Sequence, residues 1–297
     1  MTALLSLNNT QQSLAKFENQ VSTGLKIGSA ADNASYWSIA TSMTSQVGAL
    51  GAVSNALSES GSMLATMSAA LQSTVSIMDN IKNDLITAGA DTGDASALQK
   101  VQTDIQTQQQ ALISMGTSAI FNNQNLLAAA TGTSVNMVAS YDATNGLSYI
   151  TLNTSNTALF GTGVSAGSTA NLEVTSGGIL DTKGANFTGA SVLSLDVTAS
   201  GLTSGDISNM LKDVETALSS IESAASTIGA TQTNITEQQN FVSALSDSLT
   251  SGVGSLVDAD MNQASTRISA LQVQQQLGVQ ALSIANSNTQ LILRLFQ

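Results

Sequence analysis

Residues 43–85 read MTSQVGALGAVSNALSESGSMLATMSAALQSTVSIMDNIKNDL. Apolar side chains recur through Met43, Val47, Leu50, Val53, Leu57, Leu64, Met67, Leu71, Val75, Met78, Ile81 and Leu85, and Ser60 falls in the same series. The steps are of three and four residues and average about 3.5, the spacing that keeps one seam against a partner helix, whereas a free amphipathic helix drifts toward 3.6. This stretch predicts a long helix that needs a second one. The second is legible downstream, with the same spacing, in Ile207, Leu211, Val214, Leu218, Ile221, Ala225, Ile228, Gln232, Ile235, Gln238, Val242, Leu245, Leu249, Val253 and Leu256. Polar seam members such as Ser60, Gln232 and Gln238 fix register at a cost in stability. A helical bundle uses the same packing, so the spacing leaves coiled coil and bundle both open.

Outward from the seams, a shorter helix is expected over 96–115, capped by Ser96 with Gln99, after a turn through Gly89 and Asp91–Asp94. A last helix starts near Asp258 or Asp260, whose carboxylates favour a helix N-terminus. Its apolar face runs through Ala264, Ile268, Leu271, Leu282, Ala285, Ile292 and Leu295. The middle changes character. Val135, Met137 and Ala139 alternate with polar neighbours, and Tyr149 and Thr151 are out of phase with Ile150 and Leu152. Asp142-Ala143-Thr144-Asn145-Gly146 between them reads as a hairpin turn, with Asn-Gly for positive φ. Val192–Val197 reads as another strand. The expected fold is mainly α with a β-rich insertion: long antiparallel coiled-coil-like helices from both ends of the chain plus a small outer β domain. The expected parts are 1–130 (a first helix, a loop at 22–34, a long helix and a shorter one), 131–205 (β-rich and outer) and 206–297 (a long helix over 206–256 and a last one over 258–296). Outer insertions tolerate change, so replacing 155–190 by a short linker is expected to spare the helical part.

Composition narrows the function. The chain has 297 residues, with no His, no Cys and no Pro. Lack of Cys removes disulfides and thiolate chemistry, and lack of His removes the commonest general base and metal ligand. Charged residues are 9% of the chain, and 8 basic against 20 acidic side chains give a net charge of −12. That balance argues against a nucleic-acid groove and against anionic lipid. No stretch approaches the length of a membrane span. The start, Met1–Leu7, has no basic region or apolar run of a cleaved signal peptide.

Motifs of catalysis fail one by one. Gly163-Val164-Ser165-Ala166-Gly167 fits a nucleophile elbow, which needs a His that is absent. Ser13-Leu14-Ala15-Lys16 fits Ser-x-x-Lys without its companion motifs, so Lys16 reads as a solvated head. Asp91/Asp94 and Asp258/Asp260 are carboxylate pairs placed where helices begin, which favours capping over catalysis. Trp37, beside Tyr36 at the start of the long helix, reads as a buried packing anchor. No enzyme, cofactor or metal is expected.

Ser22-Thr23-Gly24-Leu25-Lys26-Ile27-Gly28-Ser29-Ala30-Ala31-Asp32-Asn33-Ala34 resembles the segment that bacterial flagellins carry near their N-terminus. Phe121-Asn122-Asn123 resembles the Phe-Asn-Gly after their second helix, with Asn in place of Gly. Asp258-Ala259-Asp260, Ala264, Leu271–Gln280, Ala281–Asn286 and Ile292–Phe296 resemble their closing segment. The resemblance covers roughly 5–130 and 206–297 and implies a structural subunit of the flagellar filament. It implies self-assembly through paired terminal helices, with identical or similar subunits as partners and an export chaperone and a filament cap protein as helpers. It implies type III export without a cleaved signal and an extracellular place on the flagellum or cell surface. The assembly residues it points to are Leu4, Leu7, Leu14, Leu271, Leu277, Leu282, Ile284, Leu291, Ile292, Leu295 and Phe296. Against the family pattern, some ten to twenty residues are missing ahead of Thr2, and assembly is expected to be poor in consequence. Two alternatives stay open: a hook–filament junction protein, and a flagellin-like cell-surface binding protein or adhesin whose Tyr141, Tyr149 and Phe160 meet a glycan. Neither nucleic acid nor membrane insertion is implied.

Overall fold

The computed structural model describes all residues except 1, 123, 126, 129–131, 162–176, 188 and 296–297, and gives the backbone alone for 2–3 and 285–295. The elements in order are Thr2–Thr23 (α1), Ala34–Ala90 (α2), Ala95–Ser118 (α3), Ser134–Asp142 (β1), Gly146–Asn153 (β2), Ser204–Val257 (α4) and Met261–Leu295 (α5). The fold is mainly α with a β-rich insertion, as the periodicities require. Two compact units form, one from 1–51 with 244–297 and the other from 52–243. The two long helices contribute to both.

Within 52–243 the seams behave as their spacing demands. Leu57, Leu64, Leu71, Met78, Ile81 and Leu85 of α2 are fully buried, and so are Val214, Ile221 and Ile228 of α4. Contacts along the pair give its direction. Gln239 Nε2 donates to Ser58 Oγ at 3.1 Å. A methyl on Gly61 would lie 3.8 Å from Ile235, and one on Gly89 3.7 Å from Ile207. Lys82 meets Glu215 at 3.1 Å. As the first partner climbs from Ser58 to Gly89, the second falls from Gln239 to Ile207, so the helices are antiparallel. Beside the seams Met63, Thr74 and Ala88 of α2 and Met210, Ala217 and Ala224 of α4 are buried as well. That apolar arc is wider than a two-stranded seam, which is bundle packing.

The third helix is capped earlier than expected. Asp94, not Ser96, is the N-cap of α3, accepting from the amides of Ser96 and Ala97. A carboxylate at the cap adds charge to the same hydrogen bonds. Val101, Ile105, Leu112 and Ile113 form its buried face, together with two glutamines, Gln102 and Gln109.

Those glutamines correct the strand expected at 192–197. The segment is a single 3-10 turn, Val192–Ser194, followed by irregular chain. Val192 and Leu193 are both buried although adjacent, so no alternation separates two faces. Side chains replace a neighbouring strand. Gln102 Oε1 accepts from Val197 N–H at 2.8 Å, and its Nε2 donates to Leu195 O at 3.2 Å. Gln109 Nε2 donates to Val192 O at 3.0 Å and to Leu195 O at 3.2 Å.

The hairpin matches expectation. β1 and β2 are antiparallel, with Met137 opposite Ile150 and Val138 opposite Tyr149, and a bulge between Val138 and Ser140. Asp142 Oδ1 accepts from Thr144 N–H and Asn145 N–H, each at 2.8 Å, and Gly146 takes φ +80°.

The chain beyond the hairpin is not a loose insertion. Phe160 is fully buried, and its ring occupies the space a side chain on Gly116 of α3 would need. Leu127 O accepts from the amides of Leu159 at 2.8 Å and Phe160 at 3.0 Å, and Leu180 N–H donates to Leu159 O at 2.8 Å. Asp181 is fully buried, with Oδ2 accepting from Gly161 N–H at 2.6 Å. These contacts argue against the expectation that 155–190 is removable without harm to the helices.

Candidate functional site: the helical termini

The two motif-bearing segments, far apart in sequence, meet in one short bridge. Gly24 takes φ +73° and turns the chain out of α1. Leu25 then pairs with Asp258 as an antiparallel bridge. Lys26 N–H donates to Val257 O at 2.7 Å, and Ala259 N–H donates to Gly24 O at 2.8 Å. Ile27, Ala40 and Val257 form the buried cluster under this bridge, with Leu25, Val253 and Leu256 packed on it. The polar residues of the motif serve the backbone. Asp32 Oδ2 accepts from the amides of Gly28 at 3.2 Å and Ser29 at 3.1 Å, and from the Ser29 hydroxyl at 3.0 Å. The Ser29 hydroxyl, then these amides, hold the Asp32 carboxyl below its ordinary range. Asn33 Oδ1 accepts from Ser35 and Tyr36 N–H at 3.2 Å and starts α2. Asp260 does the same for α5, accepting from the amides of Asn262 at 3.0 Å and Gln263 at 3.1 Å.

From this junction α1 and α5 run together. Arg267 sits 5.8 Å above the centroid of the Phe17 ring. A methyl on Gly278 would come 3.3 Å from Leu7 Cδ1. The contacts again run antiparallel. On α5 the inward line is Ala264, Ile268, Leu271, Gln275, Gly278 and Leu282, spaced as a seam. A groove of about 450 Å³ lies between Leu5, Ser6, Asn9, Thr10 and Ser13 of α1 and Leu271 and Gln274 of α5.

The candidate assembly residues divide by face. Leu7, Leu14, Leu271 and Leu282 are half-buried along the α1–α5 pair. Leu4 is 61% exposed, Leu277 58% and Ile284 63%. Leu5, Val273 and Val279, which the motifs do not single out, are exposed too. Leu291, Ile292 and Leu295 belong to α5 by their backbone, and their side chains lie outside the described residues, as does Phe296. The Gly163–Gly167 pattern and Asn123 also lie outside them.

Two aromatic assignments are corrected. Trp37 is not a buried anchor but 39% exposed, next to Tyr36 at 47%. Phe160 is core and unavailable to a ligand, while Tyr149 on the hairpin is exposed. Among the described residues no three His, Cys, Asp or Glu side chains gather as a metal site. None of the described helices is long and apolar enough to cross a membrane.

The bacterial flagellin N-terminal helical region matches residues 1–131, and the bacterial flagellin C-terminal helical region matches 211–296. A flagellin of Brucella melitensis is 42% identical, over 100% of this chain and 96% of its own length. Flagellin C of Rhizobium meliloti is 35% identical, over 100% of this chain and 97% of its own length. Flagellin FljM of Caulobacter vibrioides is 28% identical, over 100% of this chain and 96% of its own length. With both helical regions matched and this identity running from end to end, the chain belongs to the bacterial flagellin family, as a structural subunit of the extracellular flagellar filament.

Proposed function

We propose that self-assembly runs through the outward faces of α1 and α5. Leu7, Leu14, Leu271 and Leu282 hold the two helices to each other, and Leu4, Leu277 and Ile284 are left to meet neighbouring copies. Leu291, Ile292, Leu295 and Phe296 extend the same apolar series to the end of the chain. The observation that carries this reading is the exposure of Leu4, Leu5, Val273, Leu277, Val279 and Ile284 on helices whose inward faces are already paired. Exposed apolar surface of that extent drives association.

On this reading the subunit works by assembly and not by chemistry. It travels through a type III export channel without a cleaved signal, with an export chaperone holding the apolar termini and a cap protein at the growing end. Residues 131–205 form the part that faces solvent.

Sedimentation and negative-stain microscopy test the assembly faces. Leu277→Asp with Ile284→Asp is expected to keep the helical circular dichroism of the parent and to lose filaments. Filaments at the parental yield would refute the assignment.

A further inference from the structure

The tip of the hairpin carries a reactive pair, Asn145-Gly146. It is the one place in the chain where Gly follows Asn. Gly146 takes φ +80°, and apart from its chain neighbours nothing lies within 4 Å of where its Cβ would be, so its amide nitrogen is unshielded by a side chain. Opposite Asp142 it closes the β1–β2 ladder, and ladder ends fray first. Asn145 is exposed. Most other asparagines lie in α1, α2, α4 and α5, where the following amide is tied into the helical hydrogen bonds.

Asp142 holds this tip together. Its Oδ1 accepts from Thr144 N–H and Asn145 N–H, each at 2.8 Å, and from Asn145 Nδ2 at 3.2 Å. The main-chain amides of Asn145 and Thr144 hold the Asp142 carboxyl below its ordinary range, so it is an anion at neutral pH. The Asn145 side chain therefore supports the turn only while it keeps an N–H to donate.

We propose that Asn145 is a site of spontaneous deamidation and that the reaction opens the hairpin tip. Hydroxide takes the Gly146 amide proton, and the nitrogen attacks Asn145 Cγ. The Gly146 N–Cγ bond forms, the Cγ–Nδ2 bond breaks, and Nδ2 takes a proton from water and leaves as ammonia. Water then opens the five-membered succinimide, at Cγ to give aspartate or at the main-chain carbon to give isoaspartate. The sum is one amide and one water converted to one carboxylate and one ammonium, with nothing oxidised or reduced. Aspartate sets a carboxylate oxygen where Nδ2 met the Asp142 anion, a like-charge contact in place of a hydrogen bond. Isoaspartate adds a methylene to the main chain and upsets the pairing of Asp142 with Gly146.

The site is tested on the full chain, incubated at mildly acidic and mildly alkaline pH and mapped by peptide mass spectrometry. An isoaspartyl methyltransferase assay counts the isoaspartate. Conversion at Asn145 is expected to be several-fold faster than at any other asparagine, and faster at alkaline pH because the attacking amide must lose its proton. Conversion spread evenly over the asparagines, or none at Asn145, overturns the site. Asn145→Gln keeps an amide but would have to close a six-membered ring, so it should stay unmodified. Conversion of that variant at the parental rate overturns the succinimide route. Hydrogen exchange of the 142–147 amides tests the opening. Asn145→Asp is expected to exchange several-fold faster there than the parent, with helical circular dichroism unchanged and with high salt restoring part of the protection by screening the two carboxylates. Exchange equal to the parent's overturns the opening.

Discussion

Single residues decide how tightly the bundle closes, and two glycines show it in opposite ways. Gly116 exists because the Phe160 ring lies where its side chain would be. Gly116→Ala forces the ring aside, an overpacking change of about 1–3 kcal/mol. A fall in the urea midpoint at constant slope checks it. Gly61 in α2 has room, with Ile235 at ordinary contact distance, 3.8 Å from an added methyl. Gly61→Ala is therefore expected to stabilise by about 0.5–1 kcal/mol, through helix propensity and backbone entropy. Asp181 is a buried residue whose effect depends on pH. Burial is the main cause that raises its carboxyl above the usual range, with the Gly161 N–H working against it. Its folded pKa lies above the unfolded one, so the neutral acid is favoured by folding. The stability it contributes is full below the unfolded pKa and is lost as pH rises through the folded pKa. Asp32, Asp142 and Asp206 have lowered pKa values and contribute in the opposite sense, losing stability as pH falls. The difference between the parent and Asp181→Asn isolates the one group. Relative to the variant, the parent should weaken from acid toward neutral pH, and a pH-independent difference would show that Asp181 does not titrate there.

At the level of elements, α3 holds the irregular chain with side chains where a strand would use backbone. Gln102 is buried and bonds to Leu195 and Val197 together. Removing it leaves the buried Val197 amide without a partner and the Leu195 carbonyl with Gln109 alone. Each such loss costs about 1–3 kcal/mol. Gln102→Leu is expected to lower thermal stability by that order, and Thr103→Ala, on the exposed face of the same helix, to leave it within about 0.5 kcal/mol. Paired thermal melts distinguish the two. The helices themselves are legible because burial follows their spacing, residue after residue. The 192–197 segment imitates a strand because Val192, Leu193, Leu195 and Val197 have strand-like composition, and only the glutamines of another helix show what receives their backbone groups.

On the scale of the molecule, 52–243 is one compact unit that includes the described chain after the hairpin. Leu159, Phe160 and Leu180 belong to its core. Replacing 155–190 by a Gly/Ser linker is therefore expected to lower and broaden the thermal transition followed by circular dichroism. It removes the Phe160 ring from α3 and the partners of the Leu127 carbonyl. An unaltered melt would show that these contacts form without contributing to stability. The split among the candidate assembly residues also arises at this scale. Periodicity selects apolar side chains on a helix, but only the partner's position separates Leu7 and Leu282, turned inward, from Leu277 and Ile284, left exposed.

The sequence by itself determined the long helices, their need for partners, the hairpin and its turn, the capping carboxylates at the starts of α3 and α5 and the family resemblance. These come from local rules, because 3.5-residue and two-residue spacings, Asn-Gly and Asp at a cap act within a few residues of chain. The tertiary structure alone decided that Gly24–Ile27 pairs with Val257–Ala259, that Phe160 enters the core and that Trp37 stays exposed. Each of those outcomes depends on groups separated by tens to hundreds of residues, or on which small neighbour, Ala40 or Gly116, takes or yields the inward space. No spacing within one segment carries that information.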